Sequence, residues 1–293
     1  MPVIVNTNVQ SLIAQRNLNS ATNSLNTATQ RLSTGLRINK AGDDAAGLFI
    51  SKGLESQLRG AQQCQTNIGL ANNVLQIAEG DLGSIQDNVM RIKDLATQAA
   101  NGIYSTDARS AMIQEVTARL DEINRVAMCS NFNGMHLLDG SDTTLSNLRI
   151  QVGPNSDPTG NALTIKNVFV DSKATALGLF LTGGKGTATT TINTVFKTAS
   201  AAAQYIQTCA DTLNNLSSKR AAIGAIQSRL QMTSDGLATS IENLSAAKST
   251  IMDTDIAATT ADYTRAQILQ NISASMLTQA NMAPQVALSL LPR

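Results

Sequence analysis

Tryptophan is absent from the chain, histidine occurs once, and aromatic side chains make up only 3% of its 293 residues. That scarcity leaves no stacking platforms for nucleobases and no aromatic-rich globular core. With His136 as the only imidazole, a Ser-His-Asp triad or a two-histidine zinc site is nearly excluded, and no HExxH segment occurs. Charge is also sparse: 15% of residues are charged and the net charge is +1. Near-neutrality argues against nucleic acid and against anionic membranes as partners. No apolar run reaches the roughly 18 to 20 residues of a spanning helix, and residues 1–10 lack the basic start and apolar stretch of a secretory signal. Export by another route stays open. The three cysteines form no CxxC and no metal spacing, so they read as structural. No catalytic residue, no cofactor and no metal are expected, and the chain does not read as an enzyme.

Heptads are abundant. From residue 61 to 99, apolar residues alternate at intervals of three and four through Ala61, Cys64, Ile68, Ala71, Leu75, Ala78, Leu82, Ile85, Val89, Ile92, Ala96 and Ala99. A strand needs period two, so this is a helix roughly 57 Å long with one seam. A seam of that length needs partners of similar length. One runs from Ile192 through Val195, Ala199, Ile206, Cys209, Leu213, Leu216, Ile223 and Leu230 to Leu244, interrupted by Arg220 and Gln227. Another carries Ile113, Val116, Leu120, Ile123 and Ala127, with Ser105, Thr106 and Asp107 ready to cap it and Cys129 at its end. The short loop before it predicts an antiparallel arrangement. Residues 141–190 differ: Leu148, Ile150 and Val152 alternate, a turn-rich GPNSDPTG follows, and Leu163 and Ile165 alternate again, as in a β-hairpin capping the far end of the bundle. A Gly/Thr loop comes next. The fold class is therefore mainly α: an elongated antiparallel coiled-coil helical bundle built from both chain ends, with a small β-hairpin region in the middle.

The termini carry lighter stripes. Leu18, Ala21, Leu25, Ala28 and Leu32 near the start match Leu269, Ile272, Met276, Ala283, Val286 and Leu290 near the end, with Pro284 placed to start or kink the last turns. Neither holds enough apolar area to offset its ordering entropy alone, so each should fold only against a partner. The helix faces are otherwise Asn, Gln, Ser and Thr, which are less costly to bury against another subunit than Lys or Glu.

Other patterns read blandly. Asp43 and Asp44 suit a helix cap better than an acid-base pair. Gly183, Gly184, Lys185 and Thr187 miss the phosphate-loop spacing. Asn215, Asn243 and Asn271 begin N-x-S triplets, but on helices, and the hydroxyl-rich residues 141–146 and 187–191 are where O-linked sugars would sit. His136 reads as a structural or exposed turn residue.

Four segments together carry a family resemblance: NTNVQSLIAQRNLN near the start, RLSTGLRINKAGDDAAGL at residues 31–48, FNGMHLLDG after the third helix, and RAQILQNISASMLTQANMAPQVALSLL at the end. The chain resembles bacterial flagellin, in a minimal form with a very short central variable region. The resemblance implies a secreted, extracellular subunit of a helical homo-oligomeric filament used for motility. Its termini, residues 1–42 and 253–293, would pair in an inner core through Leu18, Leu25, Leu32, Leu269, Ile272, Met276, Val286 and Leu290. Residues 43–140 and 191–252 would form the surrounding bundle, and residues 141–190 the short outer surface. It also implies a flagellar export chaperone, the type III export apparatus, hook-associated proteins and the filament cap as partners. A hook-filament junction protein, or a secreted coiled-coil adhesin or scaffold, stays open as an alternative.

One flank of the long helix has a further reading. Arg91, Leu95 and Gln98 sit about 100° round from the seam residues Val89, Ile92 and Ala96. An off-seam leucine is ordinarily second-layer packing or a plain exposed residue. In the family the resemblance makes Arg91, Leu95, Gln98 and Glu115 a binding surface for host Toll-like receptor 5, open only in the monomer; Glu115 could otherwise pair with Arg119.

Overall fold

The structure is a computed structural model and describes residues 7–142, 145, 147–157, 160–166, 168–179 and 188–289. The stretch 180–187, with most of the expected Gly/Thr loop, lies outside the described residues, as do Leu290 and the side chain of Val286. Among the described residues six helices and two small hairpins follow in order: α1 Val9–Thr34, α2 Ala45–Ala99, α3 Thr106–Cys129, β1 Asn131–Phe132, β2 Met135–His136, β3 Asn147–Gln151, β4 Ala162–Lys166, α4 Ala188–Lys197, α5 Ala199–Met252 and α6 Ile256–Ser289. They form two compact units, one of residues up to Leu58 together with those from Glu242 on, the other Arg59–Ile241. Both α2 and α5 contribute to each.

The Arg59–Ile241 unit is a helical bundle with a continuous core. Leu75, Leu82, Ile85, Val89 and Ile92 of α2, Val116 and Ile123 of α3, and Leu216, Ile223 and Leu230 of α5 are all completely buried. Burying side chains of this size contributes roughly 1.5–3 kcal/mol each. Cross-links at Arg91–Glu115 and Arg119–Asn88 run α3 antiparallel to α2, and Arg220–Gln86 with Gln227–Glu79 do the same for α5. The turn between α2 and α3 is held by Arg109, only 8% exposed, whose guanidinium donates to the Tyr104 and Asn101 carbonyls beside the negative end of α2. Ser105 caps α3 by accepting from the Ala108 N–H at 3.3 Å.

The expected hairpin is present as β3 and β4, paired antiparallel with Leu148 opposite Ile165 and Ile150 opposite Leu163. It does not cap the far end of the bundle at the α2–α3 turn but packs against residues 60–67 of α2: Asn67 donates to the Gln151 carbonyl, and Gly60 has no side chain where a Cβ would stand 2.7 Å from Pro154. Cys64 and Cys209 are buried on the seams, and burial pushes the Cys209 thiol up to about 12 and the Cys64 thiol up as well. Cys129 is exposed at the end of α3.

Three further details differ from the reading of the sequence. The expected single helix 191–252 is two: α4 begins at Ala188, and Thr198 breaks the chain before α5, its hydroxyl accepting from the Ala201 N–H. Freed from α5, α4 packs on α3 and sends Phe196 edge-on to Tyr205, ring centroids 5.8 Å apart. His136 lies not in a turn but in β2, paired with Asn131 across a two-residue Asn133-Gly134 turn whose backbone is left-handed at both residues. Of the two acidic residues before α2, only Asp44 caps it, accepting from Gly47 N–H; Asp43 instead closes the preceding turn by accepting from the Asn39 and Lys40 N–H groups.

The other unit is built on a thinner contact. Between α1 and α6, pairs of Cα atoms lie within 8 Å of each other. Ala14, Ala21 and Ala28, one heptad apart, are buried, as are Thr259 and Ala266. Small residues at every seventh position let the backbones approach closely. Asn8 caps α1 through Ser11 N–H and donates to the Ala280 carbonyl, and Gly35 in the left-handed region (φ 71°) ends it. Where the chain leaves α1 and α5, two extended segments pair: Arg37 N–H donates to Met252 O, and Thr254 N–H to Gly35 O. Ile38 is buried beneath them. Asp255 caps α6, which runs without interruption through Pro284.

Candidate functional site

Two surfaces carry the residues singled out from the sequence. The first is the α2/α3 edge. Arg91 holds Glu115 in a two-pronged pair, Nε to Oε1 at 2.8 Å and Nη2 to Oε2 at 3.2 Å, while Arg119 stands 3.9 Å from the same carboxylate. The helix neighbour Arg119 is therefore the minor partner. The Arg91 hydrogen bond holds the Glu115 carboxyl below the ordinary carboxylate range, and Glu115 in turn raises the Arg91 guanidinium. Both side chains stay open to solvent, 49% exposed for Arg91 and 35% for Glu115. Gln98 is exposed and donates to the Tyr104 hydroxyl at 3.0 Å.

Leu95 does not share that openness; it is 2% exposed and belongs to the core. Two helices, α3 and α5, flank α2 here, so its buried face is wider than a single heptad seam. Of the four residues, the structure brings Arg91 and Glu115 into direct contact, sets Gln98 nearby on the same helix and puts Leu95 beneath. Asn88, Arg119 and Tyr104 complete the edge, and sequence reasoning did not include Asn88 or Tyr104. Asn88 stands three residues before Arg91, the one available signal.

The second surface is the groove between α1 and α6, about 890 Å³, lined among others by Ile13, Ala21, Ala28, Leu269, Ile272 and Met276. Leu18, Leu25 and Leu32 are half-buried at its side, while Leu269, Ile272 and Met276 are 48%, 52% and 60% exposed. The alanine column, not the leucines, makes the buried contact inside the chain. Val9, Leu12, Ile13 and Ile268 are also exposed, so this unit presents apolar side chains along its whole described length. Across this pair Asn8 donates to the Ala280 carbonyl, Ser11 to Asn281 at 2.7 Å and Gln270 to Thr22 at 3.2 Å. Among the described residues no three His, Cys, Asp or Glu side chains converge as metal ligands. No described helix is long and apolar enough to cross a membrane.

Sequence comparison finds two profile matches at the two ends of the chain, a bacterial flagellin N-terminal helical region over residues 5–143 and a bacterial flagellin C-terminal helical region over residues 206–291. Relatives match end to end. The flagellar filament 30.7 kDa core protein of Treponema maltophilum is 36% identical over 99% of this chain and 100% of its own length. The flagellin of Bacillus subtilis is 36% identical over 98% and 99%. Among solved structures, a flagellar hook-associated protein from Vibrio parahaemolyticus shares the fold, with a TM-score of 0.57, 18% identity, and coverage of 71% of this chain and 99% of that one.

Proposed function

We infer how assembly works from one premise: the chain belongs to the bacterial flagellin family and is a structural subunit of the flagellar filament. The full-length relatives are filament core proteins and flagellins, which favours neither a junction protein nor an adhesin.

Residues 1–42 and 253–293 are proposed as the inner core of the filament, with residues 43–140 and 191–252 around them and residues 141–190 outermost. One observation carries this reading: Leu269, Ile272 and Met276 stand about half exposed beside an alanine-packed pair. A pair so thinly packed has low local stability, and covering those side chains against neighbouring copies supplies what it lacks. Leu18, Leu25, Leu32, Val286 and Leu290 join the same contacts. Folding of the ends is thereby coupled to assembly. Chains lacking residues 1–40 or 255–293 should keep the bundle's helicity and fail to elongate seeds in negative-stain microscopy; normal filaments from either would overturn the assignment.

The same exposed C-terminal apolar residues suit an export chaperone, and passage through the type III export apparatus leads to an extracellular filament ending in hook-associated proteins and a cap. The α2/α3 edge is proposed as the Toll-like receptor 5 surface, with Arg91, Gln98 and Glu115 as contacts and Leu95 supporting them from below. Arg91→Ala and Glu115→Ala should each weaken binding of monomer to the receptor ectodomain by more than about 1 kcal/mol if they are anchors. Wild-type affinity in the double variant would remove this edge from consideration.

A further inference from the structure

Along α5 the column Leu216, Ile223, Leu230 is completely buried, but the companion column beside it reads Leu213, Arg220, Gln227, Ser234. Facing it on α2, Glu79 and Gln86 stand one heptad apart. Arg220 Nη1 donates to Gln86 Oε1 at 2.8 Å, Arg220 Nη2 lies 3.8 Å from Glu79 Oε1, and Gln227 Nε2 donates to Glu79 Oε2 at 3.3 Å. Four side chains thus form a ladder of polar rungs, and in sequence the buried Leu82 and Ile223 fall between them.

Packing alone gives no reason for this ladder. Arg220 and Glu79 stay 39% and 38% exposed, yet Arg220 Nε is sealed from solvent without a partner, a cost that a leucine or methionine would avoid. What apolar residues cannot supply is uniqueness. The seam repeats every seven residues on both helices, so sliding α5 by one heptad, about 10 Å, again sets apolar against apolar at most layers. The ladder repeats only in part. Sliding one way brings Arg220 level with Lys93, like charge against like. Sliding the other way leaves Arg220 level with Glu79 but takes Gln86 from it, sets the apolar Leu213 against Gln86 and so loses the shortest rung.

We propose that Glu79, Gln86, Arg220 and Gln227 set the register of the bundle, selecting one alignment of α5 on α2 from several of nearly equal apolar content. The inference concerns the subunit's own fold and stands apart from the reading of the filament surfaces.

Spin labels test it on the full chain. With Cys64, Cys129 and Cys209 replaced by alanine, the exposed Gln76 and Gln231 are changed to cysteine, labelled, and their separation measured by pulsed dipolar spectroscopy. The parent should give one distance. Glu79→Leu, Gln86→Leu, Arg220→Leu and Gln227→Leu together should melt no lower than the parent yet show a second, displaced distance population. A folded quadruple variant with a single parental distance overturns the proposal. Should that variant not fold, Arg220→Glu alone should broaden the distribution, and Glu79→Arg added to it should restore one distance. A charge-swapped chain as heterogeneous as Arg220→Glu overturns the proposal equally.

Discussion

The bundle and the α1/α6 pair are both antiparallel helical packings, but they are built from different residues. In the bundle, large aliphatic side chains at 0% exposure fill the space between helices. In the pair, alanines occupy the buried column and the large aliphatic side chains stand outside it. One region completes its core within the chain; the other leaves much of its apolar area uncovered by the chain itself. The lesson is that a heptad stripe announces burial without saying when that burial takes place.

The sharpest way to break this comparison is a leucine deletion in each region. Leu82→Ala should cost about 2–5 kcal/mol in urea unfolding of the monomer, because the site is fully enclosed. Leu269→Ala should cost the monomer less than about 1 kcal/mol, since half the side chain is already in water. The order should reverse in polymerisation, where sedimentation of filaments fails for Leu269→Ala. Equal effects on monomer unfolding would mean the two regions are not built differently.

A smaller effect comes from overfilling the alanine column. Ala21→Leu forces α1 away from α6 and should cost about 1–3 kcal/mol locally, read as faster amide exchange along α1 with the bundle's unfolding midpoint unchanged. Smaller still are the caps. Ser105→Ala should lower the global stability by about 1 kcal/mol, whereas Asn8→Ala should speed exchange only in the first turn of α1, because that pair opens without unfolding the bundle. A shifted global midpoint for Asn8→Ala would show the two units to be one cooperative block.

Much of this architecture was legible in the sequence for a specific reason. The stripe from Ala61 to Ala99, the caps at Ser105 and Asp44, and the alternation around Leu148 and Ile165 are local signals, each enforced by one period or one hydrogen bond. What sequence could not reveal depended on how many partners a helix has. Leu95 counts as off-seam for a two-helix coil but is interior once α3 and α5 both flank α2. In α1 a heptad containing alanines and leucines points equally to either column as the contact, and only the close backbone approach decides for Ala14, Ala21 and Ala28. Thr198 escaped notice because the apolar spacing runs through the break.

The finest distinction between the regions is electrostatic. Each holds an exposed carboxylate below its ordinary value: Glu115 in the bundle, lowered chiefly by the Arg91 side-chain hydrogen bond, and Asp43 in the other unit, lowered chiefly by the Asn39 and Lys40 backbone N–H groups. In both cases the folded form favours the ionised group, so the stabilisation is complete above the ordinary values of 4.5 and 3.8 and disappears as pH falls through the lower folded values. Carboxyl-carbon NMR titration should place both midpoints under those values. Salt should then separate them. The Glu115 shift rests partly on attraction to Arg91 and Arg119 across solvent-exposed edges, so raising ionic strength moves its midpoint back toward 4.5. Asp43 depends on two fixed backbone donors at 3.0 Å, and its midpoint should move less. Equal salt sensitivity would mean that Asp43, too, is held by side-chain charge, with the 39–43 turn no longer the source of its shift.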